Sequence, residues 1–207
     1  MPNEVLHNYI ERSILPLYDA FDAAHRRGHV EKVMAESLRL ATFYSVDNDM
    51  VYCIAAYHDI GLCEGRERHH LVSAAMMRSD EHLRQFFSEE EIGIMAEAVE
   101  DHRASNQHEP RTIYGRIVAE ADRDIVPADI IRRTVQYGMS HYPHLDREGH
   151  WQRTLDHLHE KYAEGGYLRL WLPESNNAEG LRRLRQIIAD EDCLRGFFDR
   201  FYGEEVG

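Results

Sequence analysis

The stretch Val51-Tyr52-Cys53-Ile54-Ala55-Ala56-Tyr57-His58-Asp59-Ile60-Gly61 decides the fold. From Val51 to Tyr57 it is almost wholly apolar, and then two residues able to bind a metal follow directly. On either side, apolar residues recur at intervals of three and four with few alternating runs, so the chain reads as all-α and this stretch as a central helix from Met50 to Ile60, ended by Gly61. His58 and Asp59 then fall at its C-terminal end, near the core.

Upstream, Val30, Val33, Met34, Leu38 and Ala41 make one apolar stripe after Gly28, which places His29 in the first turn of a helix. Downstream, a helix is expected from His69 to about Arg84. Ser88 with Glu91 forms a capping box that opens another, whose face carries Ile92, Met95, Val99 and, in phase, His102. Pro110 and Thr112 mark the next start, with Ile117, Val118, Ala121 and Ile125 as a buried stripe and Asp122 beside it. Pro127 suits the first turn of a further helix to about Ser140. Two more helices are expected, at about Arg147–Ala163 and Ala178–Phe201. They flank Gly165–Pro173, a loop or short extended segment whose Tyr167 and Trp171 would cover part of a pocket.

The 207 residues suffice for one sizeable core, and no compositional shift marks a second domain. A single domain over residues 1–207 is expected, with C-terminal helical elaboration over about 131–207. Hydrophobic residues make up 43% and charged residues 29%, as in soluble globular proteins, and no apolar run reaches the length of a membrane span. The N-terminus lacks the basic and apolar regions of a secretory signal, so a cytoplasmic location is expected. Cys53, Cys63 and Cys193 are in no Cys-x-x-Cys arrangement and read as reduced packing residues. A formal charge of -13 opposes attraction to nucleic acid polymers or anionic membranes and favours a small-molecule partner. Phe197, Phe198, Phe201 and Tyr202 make a homodimer plausible, and an amphipathic helix packed on its own domain explains them equally.

Taken one at a time, His29, His58, Asp59, His102 and Asp122 each read as ordinary core or surface residues. Together they fall at or beside the apolar faces of four helices, where a lone carboxylate costs several kcal/mol and a divalent cation satisfies several ligands at once. Imidazole with carboxylate suits a hard or borderline cation.

The order of His29, the pair His58-Asp59 and the distant Asp122, within Tyr57-His58-Asp59-Ile60-Gly61 and Ala119-Glu120-Ala121-Asp122-Arg123, resembles the HD superfamily of metal-dependent phosphohydrolases. The resemblance covers about residues 25–130. It implies an HD-type helical bundle with additional C-terminal helices, in which these four residues hold Mn²⁺, Fe²⁺, Mg²⁺ or another divalent metal. It also implies hydrolysis of a phosphoester or phosphoanhydride in a nucleotide or related small phosphorylated metabolite. In the superfamily's binuclear branch a second histidine pair holds a second metal. Here that pair would be His69 or His70 with His102, and Ser73, four residues after His69, favours His69. Asp59 would then bridge metals about 3.5–4 Å apart, with a bridging hydroxide as nucleophile; the alternative is one metal with these histidines hydrogen-bonded around it.

Arg66, Arg68, Arg103, Arg111 and Arg123 lie near these positions in sequence, and guanidinium suits bidentate phosphate contact. Arg66 and Arg103 are the leading choices; pairing with Glu64, Glu67 or Glu120 is the competing reading. Leu62 stands where many HD phosphodiesterases carry Lys, and no Gly-Tyr-Pro motif follows, which argues against a cyclic dinucleotide substrate. Glu64 is the nearest acidic residue after the pair and the choice for general acid/base catalysis. His25 reads as structural, and His141, His144, His150, His157 and His159 as surface or packing residues. Two other functions fit the same ligands: a non-catalytic scaffold binding metal and nucleotide, or a mixed-valent di-iron oxygenase.

Overall fold

The computed structural model describes residues 3–21, 27–106 and 108–206; His25 lies outside them. Among the described residues there are ten α-helices and no strand. The chain divides into two units, Met1–Arg123 with Trp171–Ser175, and Asp124–Leu170 with Asn176–Gly207.

The first unit begins with α1 (Glu4–Tyr9), a π turn at Ile10–Ile14 and a 3-10 turn at Leu15–Ala20. It continues through α2 (Arg27–Ala41), α3 (Asn48–Tyr57), α4 (His69–Ser79), α5 (Glu89–Asp101) and α6 (Ile113–Ala121). Asp47 caps α3 by accepting the Asp49 and Met50 amides. Every residue of α3 from Met50 to Tyr57 is buried, because α2, α5 and α6 pack around it. A helix enclosed on all sides needs no polar face, which explains its unbroken apolar sequence. The capping box at Ser88 and Glu91 forms as expected and opens α5.

Three helix boundaries differ from the sequence reading. The central helix stops at Tyr57, before Gly61. His58 caps it, Asp59 turns at φ -115, ψ 2, and Ile60–Glu64 tighten into a 3-10 turn ended by Gly65 at φ 99. Gly61 does not act as a helix stop; it allows close approach. A Cβ there would collide with the main-chain oxygen of His69 and nitrogen of Ser73, and the Gly61 amide donates to Ser73 Oγ at 2.9 Å.

The helix expected to reach Arg84 ends at Ser79. Asp80 leaves the helix, accepts the His82 amide at 2.9 Å, and receives the hydroxyls of Tyr9 and Tyr57. Of the cysteines, only Cys53 packs in the core, while Cys63 and Cys193 are exposed.

The second unit holds α7 (Pro127–His141), α8 (Arg147–Tyr162), α9 (Asn177–Ala189) and α10 (Glu191–Val206). The single helix expected over 178–201 is broken at Asp190, whose extended backbone and side-chain oxygen cap the next helix by accepting the Cys193 amide at 3.0 Å. Phe198 and Phe201 are buried inside this unit, Phe198 edge-on to Trp151 at 5.4 Å. Those two rings are committed to the unit's own core. No helix among the described residues is long and apolar enough to cross a membrane.

Candidate metal centre

Helix ends of the first unit deliver six side chains to one place. His29 comes from the first turn of α2 and His69 from the start of α4; His58, His102 and Asp122 are the C-cap residues of α3, α5 and α6; Asp59 follows His58. Asp59 lies at the middle. Its Oδ2 is 3.4 Å from His58 Nε2 and 4.0 Å from His29 Nε2, whereas its Oδ1 is 3.3 Å from His69 Nε2 and 3.5 Å from His102 Nε2. Asp122 Oδ1 closes the first group, 3.1 Å from His29 Nε2 and 3.8 Å from His58 Nε2. Two sets of potential ligands result, His29-His58-Asp59 and Asp59-His69-His102, sharing one carboxylate.

Three of the rings are oriented by the same device. His58 Nδ1 meets Ala55 O at 2.7 Å, His69 Nδ1 meets Arg66 O at 2.8 Å, and His102 Nδ1 meets Val99 O at 2.6 Å. Each carbonyl lies three residues back in the chain. A carbonyl can only accept, so each Nδ1 carries the proton in the neutral ring, and Nε2 is left facing the cluster with a lone pair. A ring nitrogen held in this way is oriented for metal ligation.

The donor set fits a divalent cation. His58 Nε2 is buried and has no hydrogen-bond partner, which is costly unless something else satisfies it. His69 Nε2 and His102 Nε2 lie 3.2 Å apart although both rings have given Nδ1 to a carbonyl, so two lone pairs oppose each other. Among these protein groups only a proton can lie between them; a cation relieves the same conflict. Exposure is uneven: His58 and Asp59 are 0% and 7% exposed at the side chain, His69 12%, and His29 and Asp122 24% and 25%.

The electrostatics agree. Burial opposes ionisation of Asp59, yet His58 and His102 hold its carboxyl well below the usual range. Burial likewise opposes ionisation of Asp122, and the His29 hydrogen bond with the His58 charge holds it low. Burial works against a proton on His58, but Asp59 and Asp122 outweigh it and push its pKa up to about 9. Burial, then the nearby His102, lowers that of His69 and favours its neutral, ligating form. Without metal, the two carboxylates are balanced by imidazolium, the charge that a cation would replace.

The other expected site residues are placed apart. His70 is outside the cluster, its Nδ1 buried without a partner, and burial followed by the His69 charge lowers its pKa to about 4. Glu64 is exposed at the end of the 3-10 turn and makes no ion pair or hydrogen bond among the described residues. Arg66 and Arg68 are exposed, and their guanidinium groups are unpaired among the described residues. Arg103 donates to the Glu67 carbonyl at 2.7 Å. Arg111 is committed to Asp101 and Glu100, and Arg123 is buried and donates to Ala119 O, so neither is free for phosphate. The Trp171 amide donates to the buried Glu120 carboxylate at 2.7 Å.

Sequence reading missed Tyr18, whose hydroxyl touches the main chain on both sides of His58. It follows Leu6, Ile10 and Ile14 at a spacing of four, a signal visible in the chain. The carbonyls three residues before each histidine were also missed, although that spacing is visible in the chain.

Comparison with family models matches residues 26–125 to the HD domain. No curated protein and no solved structure gives a significant match.

Proposed function

Because residues 26–125 of this chain are an HD domain, we propose that it is a metal-dependent phosphohydrolase acting on a nucleotide or related small phosphorylated metabolite in the cytoplasm. One observation carries the reading: the two oxygens of Asp59 face different imidazole pairs, the arrangement of a carboxylate shared by two cations. His29, His58, Asp59 and Asp122 would hold one, and Asp59, His69 and His102 the other. Divalent cations so held lower the pKa of a water and neutralise charge on phosphate oxygens.

The chain's own groups supply the rest. Main-chain carbonyls of Ala55, Arg66 and Val99 keep three imidazoles in the ligating tautomer. Arg66 and Arg68, with no acidic partner among the described residues, are the groups to attract phosphate against the acidic average charge. Arg103, tied to the Glu67 carbonyl, braces the segment that carries both. Substrate reaches the centre at its exposed edge, His29 and Asp122. No step is assigned to Glu64.

The test is elemental analysis of protein purified without chelator, followed by a panel of phosphorylated small molecules assayed with and without O₂. Close to two Mn or Fe per chain with O₂-independent phosphate release supports the proposal. Turnover that requires O₂ would transfer the site to oxygenase chemistry, and metal binding without turnover of any phosphate ester would leave a scaffold.

A further inference from the structure

The N-terminal segment 4–20 precedes the residues matched to the HD domain, yet it reaches the centre. Leu6, Ile10, Ile14, Leu15 and Tyr18 are buried in the core of the first unit. The π turn at Ile10–Ile14 and the following 3-10 turn, with Pro16 near its start, change the helical phase. Tyr18, four residues after Ile14, enters the core from the second of these turns.

Tyr18 is fully buried and its hydroxyl makes two main-chain hydrogen bonds. It donates to Ala56 O at 2.9 Å and accepts the Asp59 amide at 3.3 Å. Those groups flank His58, at the point where α3 ends and the backbone turns into the shared carboxylate. The ring lies 6.3 Å from the His58 ring and is fixed edge-on by Phe21 at 5.5 Å. A phenol has one proton and accepting lone pairs, and both functions are in use.

We propose that Tyr18, from outside the matched domain, is a positioning residue of the metal centre: its hydroxyl clamps the turn between Ala56 and Asp59 and so sets the direction of the shared Asp59 carboxylate. The inference rests on the metal-centre reading above. The clamp acts on the main chain and touches no ligand atom, so its loss leaves every ligand present but one carboxylate less well aimed. Loss of such an outer hydrogen bond lowers metal affinity about tenfold or more.

The experiment compares wild type, Tyr18→Phe and Leu6→Ala by Mn²⁺ titration and electron paramagnetic resonance of the loaded protein. Tyr18→Phe keeps the ring and removes one oxygen. Leu6→Ala loosens the same segment without touching the clamp. The expected result is a Mn²⁺ affinity lowered about tenfold, with an altered Mn²⁺ spectrum, in Tyr18→Phe alone, although both variants melt earlier. Unchanged affinity and spectrum in Tyr18→Phe overturn the proposal, as does an equal loss in Leu6→Ala, which would make the role one of packing. Wild type that binds no Mn²⁺ is a different result: it sinks the metal-centre reading, and this inference with it.

Discussion

His69 Nε2 faces His102 Nε2 at 3.2 Å, although each ring has already given its Nδ1 proton to a main-chain carbonyl. Neither ring in its neutral form can donate across this contact, so this half of the centre needs a proton or a cation between the rings, and a bound cation takes the proton's place. Added Mn²⁺ should therefore raise the melting temperature of chelator-treated protein, with the increment growing with concentration as mass action requires. A melting curve indifferent to millimolar Mn²⁺ would count against the site.

The neighbouring histidines should behave differently. His69→Ala removes a group 3.3 Å from Asp59 Oδ1, whereas His70 lies outside the cluster. Metal content per chain should fall in His69→Ala by about one ion, and remain at the wild-type value in His70→Ala. The reverse outcome would reassign the ligand.

Asp59 and Asp122 should also separate. Asp122 touches only the His29-His58 group, but Asp59 touches both groups. Asp122→Ala should retain partial metal binding, and Asp59→Ala none, while far-ultraviolet circular dichroism shows helical content preserved in each. Equal metal loss from the two variants would contradict a shared carboxylate.

Gly61→Ala should be among the most damaging single-methyl changes. The added carbon meets main-chain atoms of His69 and Ser73, which cannot rotate away as a side-chain tip can. The expected cost is about 3 kcal/mol, at the upper end of overpacking effects. Because His69 must shift, metal affinity should fall as well. Denaturant unfolding and Mn²⁺ titration check the two effects.

Acid stability should depend on Asp80. Burial opposes its ionisation, but hydrogen bonds from Tyr57 and Tyr9 outweigh that and lower its pKa. A carboxyl with a lowered folded pKa contributes stability that is fully present above its unfolded pKa of about 3.9 and is lost as pH falls through the folded value. Asp80→Asn should lower stability near neutral pH and flatten its decline below about pH 4. An acid limb as steep as that of wild type would show that Asp80 is not responsible.

Much of the site was legible because its residues are local signals. His58 and Asp59 interrupt an apolar run, His102 continues the face of Ile92, Met95 and Val99, and a polar group in phase with a buried stripe needs a partner wherever the helix packs. The capping box at Ser88 and the Pro127 start were legible for the same reason, since both act within one helical turn. Three helix ends were not. The stops at Tyr57 and Ser79 depend on Tyr18, Tyr9 and Gly61, whose partners are distant in the chain, and the break at Asp190 was overlooked although its cap is local.

The sequence by itself determined that the chain is helical, where most helices begin, and which residues have the chemistry to hold a cation, because periodicity, capping and ligand type are properties of short segments. Only the tertiary structure decided that His69 and not His70 enters the cluster, that Arg111 and Arg123 are committed elsewhere, and that Tyr18 grips the turn before Asp59. Those outcomes rest on distances between elements remote in sequence, and such distances exist only once the helices have packed.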